Sequence, residues 1–163
     1  MKATERLALL RDFYREKLTL RQAHVAAARF VADYDFNNTY QYVINREDVQ
    51  LSWLRTAIED MGGEVDNVPE PEIDASGKRD DVQLRVIGED RDRARAFVEK
   101  WRPRLEAMPN ARHRSMLRVI IGETLEHERF FAQAHSGRTD LLGRRADGAG
   151  TGGGVIGVRW IER

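Results

Sequence analysis

Four long stretches of this chain repeat apolar residues at helical spacing, and polar residues break into those stripes at a common depth. Leu7, Leu10, Tyr14 and Leu18 form one stripe, and Leu20, His24, Ala27, Val31 and Tyr34 form a second. Residues 4–34 therefore read as helix, with a slip or kink expected near 15–20 where the two stripes are offset. Asp35 to Asn38 suit a short turn, because Asn tolerates turn conformations. A second helix is expected over 39–61, with Val43, Glu47, Gln50, Leu54, Ile58 and Met61 on its face and Gly62-Gly63 as its stop. A third spans 89–107 through Ala94, Phe97, Val98, Trp101 and Leu105, and Pro103 predicts a kink or an early end. The fourth, 111–135, carries Met116, Ile120, Glu123, His127 and Phe130, and Gly137 closes it.

Between the second and third helices the pattern changes. Pro69, Pro71, Gly77 and a run of acids argue against helix over 64–88, and a short strand is expected at 82–87. The order is then helical hairpin, crossover of about 25 residues at 63–88, helical hairpin. Short loops force antiparallel neighbours, and a long crossover lets the second hairpin begin at the opposite end. The expected fold class is all-α, a four-helix bundle over 1–136 followed by a Gly- and Arg-rich tail over 137–163.

Composition narrows the chemistry. The 163 residues contain no Cys, which removes disulfides, zinc–thiolate sites and Cys-ligated iron–sulfur clusters. No apolar run reaches membrane-spanning length and the N-terminus lacks a signal-peptide core, so a cytoplasmic protein without membrane contact is expected. No Ser in a strained Gly-rich elbow suggests a hydrolase.

The polar residues on the stripes are His24, Glu47, Gln50, Glu123 and His127. Counting at 1.5 Å per residue from each turn puts all five near the middle of a bundle about 35 Å long. Buried carboxylates and imidazoles are costly unless paired or metal-bound. Two accounts stay open for each: a metal ligand, or a hydrogen-bonded core group. His24 alone suits a core histidine, Glu47 could turn outward beside Arg46, and Gln50 suits a structural amide. Glu123 and His127, at i and i+4, share a face and could ligate a metal or bond each other.

Helix pair, long crossover and helix pair, with inward carboxylates and imidazoles at mid-bundle, resembles the ferritin-like superfamily, which includes rubrerythrins and other di-iron carboxylate proteins. The resemblance covers about residues 4–135. Its local patterns are Glu47-Asp48-Val49-Gln50 and Glu123-Thr124-Leu125-Glu126-His127. The family uses a Glu from each of two helices and Glu-x-x-His from the other two. Here Gln50 stands where His is expected, His127 follows Glu123 by four residues, and the third helix shows no inward carboxylate. The resemblance implies an iron or manganese site with His24, Glu47, Gln50, Glu123 and His127 as ligands, and iron-dependent redox chemistry or iron handling. The alternative is a non-catalytic helical scaffold or partner-binding protein with a degenerate site.

Charge is uneven within a neutral total. Residues 91–118 hold nine Lys/Arg against three acids, and residues 59–81 hold nine acids against two bases. Either the two segments neutralise each other, or the basic one forms a face for nucleic acid. Residues 148–153 satisfy G-x-G-x-x-G, but without a strand before and a helix after, a hinge is the better reading than a phosphate site. Val155, Ile156, Val158, Trp160 and Ile161 are apolar enough to dock, on their own bundle or on a second copy as a homodimer. Trp53 and Trp101 read as core.

Overall fold

The computed structural model describes residues 1–138 and 140–142. Four helices carry the fold: α1 (Ala3–Ala28), α2 (Tyr34–Glu59), α3 (Arg79–Glu106) and α4 (Ala111–His135). Expectations for residues 148–153 and 155–161 fall outside the described residues.

Contacts between helices fix their directions. Lys17 meets Glu47 while Tyr14 meets Arg55, so α1 and α2 run antiparallel. Arg95 meets Glu128 and Glu106 meets Arg118, so α3 and α4 do too. Phe13 packs on Trp101 and Gln83 reaches the backbone of Ala32, which sets α3 antiparallel to α1. The bundle is therefore two antiparallel hairpins whose second member starts at the far end, as the loop lengths predict.

The crossover climbs the outside of α1. Asp66 takes Arg11 and Arg15, the Val68 carbonyl accepts from Gln22, and Glu70 takes Arg29. Two of the nine acids over 59–81, Asp66 and Glu70, thus pair with arginines of α1. The described residues contain no strand at 82–87; α3 begins at Arg79. Val82, Val86 and Ile87 are buried and Leu84 is exposed, which is a helical face that happens to alternate over its first turn.

Two further boundaries differ from the sequence reading. α1 stops at Ala28, and α2 begins at Tyr34 because the Asp33 carboxylate accepts from the Phe36 amide as an N-cap. Asn37 is then in the first turn of α2, and its amide donates to the Ala28 carbonyl that ends α1 and to the Val31 carbonyl in the loop. The expected slip near 15–20 is absent. Leu10, Phe13, Lys17, Leu20, His24 and Ala27 form one continuous buried stripe.

The apolar core comes in two clusters. One gathers Leu10, Phe13, Leu54, Ile58, Phe97, Trp101, Leu105 and Leu117 at the α1 N-terminal end. The other gathers Val31, Phe36, Tyr40, Val43, Val86 and Phe131 at the opposite end. Buried polar side chains lie on the helices between them.

Candidate functional site

Among the described residues, eight polar or charged ones are buried: Lys17, His24, Thr39, Glu47, Gln50, Asp90, Thr124 and His127. Seven form the central layer, and all four helices contribute. Lys17 and His24 are two turns apart on α1, so they share its inward face. Glu47 and Gln50 project from α2, Asp90 from α3, and Thr124 and His127 from α4.

Lys17 is at the centre. Its ammonium donates to Glu47 Oε1 at 2.9 Å and to Thr124 Oγ1 at 3.0 Å, with both charged side chains wholly buried. The Thr124 hydroxyl in turn donates to the Ile120 carbonyl at 2.8 Å. The second carboxylate oxygen of Glu47 lies 2.8 Å from His24 Nδ1. Across the layer, the Tyr40 hydroxyl donates to Asp90 Oδ2 at 2.6 Å and Arg93 donates to Asp90 Oδ1 at 3.0 Å.

The electrostatics follow from this pairing. Burial pushes the Glu47 carboxyl upward, but His24 and Lys17 outweigh it and hold the group at about 2. Burial disfavours a charged His24, yet Glu47 and Asp90 win and raise its pKa above the ordinary imidazole value. Its Nδ1–H therefore donates to the Glu47 carboxylate. Burial raises Asp90, partly offset by His24, Tyr40 and Arg93. His127 goes the other way: burial, and then the Lys17 charge, depress it to about 3.

The five sequence candidates separate into subsets. His24 and Glu47 meet directly. Gln50 and Glu123 also meet, since the Gln50 amide donates to Glu123 Oε2, and Arg46 holds the other oxygen. Glu123, however, is only half-buried and faces the α2–α4 seam. His127 is buried, and neither ring nitrogen has a partner; it stacks on Phe130 and meets the edge of Tyr42. His24 Nε2 is likewise unpartnered.

The inward face of α4 carries Thr124 and His127, not Glu123 and His127, because successive residues differ by about 100° around a helix. α3 does present an inward carboxylate, Asp90, one turn before Ala94. Lys17 was missed because the α1 stripe was divided into two frames; the spacing 10-13-17-20-24 would have exposed a lysine on it. Tyr40, four residues after Phe36 on the buried face of α2, was not singled out in the sequence. Glu128 accepts from Arg95 Nε at 2.8 Å. Trp101 is core, while Trp53 is 36% exposed.

The donor set does not fit a ferritin-like metal centre. Among the described residues, no three His, Asp or Glu side chains converge as a group that could hold a metal ion. Glu47 is instead neutralised by an internal ammonium, and Glu123 by a guanidinium. Five of the nine bases in the basic segment are paired: Arg91 meets Asp92, Arg93 meets Glu89 and Asp90, Arg95 meets Glu128, Lys100 meets Glu16, and Arg118 meets Glu106. No described helix is long and apolar enough to cross a membrane. No family model matches the chain, and no curated protein or solved structure does either.

Proposed function

We propose that this protein is a metal-independent helical scaffold of ferritin-like descent, in which a lysine ammonium fills the electrostatic role of the metal. The observation that carries the reading is Lys17 Nζ, buried and bonded to both Glu47 and Thr124. A cation already compensates the central carboxylate, so the core is charge-balanced by its own side chains. Such buried pairs add little net stability but cost much when broken. The scaffold would act by presenting its outer helical faces to partners.

A second reading is an iron- or manganese-binding bundle using His24, Glu47, Gln50, Glu123 and His127. The unpartnered ring nitrogens of His24 and His127 favour it, since a buried imidazole without a partner is unusual. It would require Lys17 to leave Glu47. The same experiment separates the two. Protein purified without chelator is analysed for metal, then melted with and without excess Fe(II) or Mn(II) under reducing, anaerobic conditions. The scaffold reading expects no stoichiometric metal and an unchanged melting temperature. A saturable rise, which native-state binding would produce, lost in His127→Ala, would establish the metal reading.

A further inference from the structure

The outer line of α2 is unusually apolar. Tyr42, Val49 and Trp53 are 38%, 37% and 36% exposed, and spacings of seven and four residues put them on one line. The facing side of α4 adds Val119 at 49% exposure. Along this seam Tyr42 meets Phe130, Arg46 bridges to Glu123, and Trp53 lines a pocket of about 240 Å³ with Met116, His113 and Arg112. The Arg46–Glu123 bridge crosses the seam, and Asp60, Arg112 and His113 stand beside Trp53 and Met116 at its far end.

The described chain ends at the head of this seam. After α4, Gly137 turns the backbone with φ 103°. Leu141 packs on the apolar cluster at that end, and Asp140, Leu141 and Leu142 line a pocket with Asp35 and Asn38. Asn38 is one helical turn before Tyr42. Beyond Leu142 lie residues 143–163. The first twelve of these include six glycines; the remainder include Val155, Ile156, Val158, Trp160 and Ile161. Tyr42 to Trp53 is about 17 Å of helix, and twelve residues span at most about 40 Å. The apolar segment therefore reaches every part of the seam from where the chain leaves the bundle.

We propose that the α2–α4 seam is the docking site of the chain's own residues 155–161. A Trp side chain buries on the order of 200 Å², enough to cover Val49, Trp53 and Val119. Attachment to the same chain gives the segment an effective concentration of about millimolar at its site, which favours it over a second copy in dilute solution.

The chain has no Cys, so single thiols report cleanly. Val49→Cys and Val119→Cys are placed separately in the full chain, each with the natural C-terminus and with Ile156→Asp plus Trp160→Asp. Leu84→Cys on α3 is the control. Reaction with iodoacetamide should be slower by on the order of tenfold in the natural chain at both seam positions and unchanged at the control. Helical circular dichroism identifies any variant that fails to fold, and the other reporter then carries the test. Equal rates with both C-termini would overturn the proposal. So would protection that disappears on dilution, which would assign the seam to a second copy.

Discussion

Lys17 Nζ sits 2.9 Å from Glu47 Oε1, and neither side chain reaches solvent. The pair joins the first hairpin internally, and Thr124 ties it to α4. A buried pair behaves asymmetrically under mutation. Lys17→Met leaves a buried carboxylate with His24 as its remaining partner and should cost about 3–5 kcal/mol. Lys17→Met with Glu47→Leu removes both charges and should recover most of that loss. Urea unfolding of the two single variants and the double variant measures the coupling; additive losses would mean that the two groups do not interact.

Acid should weaken the fold in two overlapping steps. The unfolded chain protonates His127 near 6.5, while the native core refuses that proton until about 3. The unfolded state thus binds more protons across that interval, and stability falls as pH drops through it. Glu47 adds to the loss between its ordinary 4.5 and about 2, since its folded value is depressed. His24 has the opposite sign: its raised value contributes stability below the ordinary imidazole range, lost as pH rises through the folded value. His127→Leu should flatten the slope between pH 6.5 and 3 in denaturant midpoints measured against pH. An unchanged slope would reassign it to other groups.

Tyr40→Phe deletes the hydroxyl that donates to Asp90. Asp90 is buried, so losing a donor should cost about 1–3 kcal/mol. In an Asp90→Ala background the same change should cost much less. Thermal melts of the four proteins provide the check.

Two glycines should respond in opposite directions. Gly62, in the turn that follows α2, has φ 77°, so Gly62→Ala should lose about 1 kcal/mol. Gly122 lies within α4 with open space where a Cβ would go. Gly122→Ala should therefore gain about 0.5–1 kcal/mol. Chemical denaturation of both variants measures the pair.

The sequence alone determined the number of helices, their order and their antiparallel arrangement. Helical periodicity marks each buried stripe, and loop length dictates which ends meet. It also marked His24, Glu47, Gln50 and His127 as polar residues on inward faces, and all four are buried. The partners were decided only in three dimensions. A helix face is about 100° wide, and each residue turns by the same angle, so a stripe locates an inward side chain only to within one position. Packing of α4 against its neighbours sets the rotation that brings Thr124 inward and leaves Glu123 with Arg46. The start of α3 at Arg79 puts Asp90 under Tyr40. Lys17 reads as an ordinary charged residue of a long helix until α2 and α4 close over it. Whether its charge faces water or a carboxylate is a property of the assembled bundle.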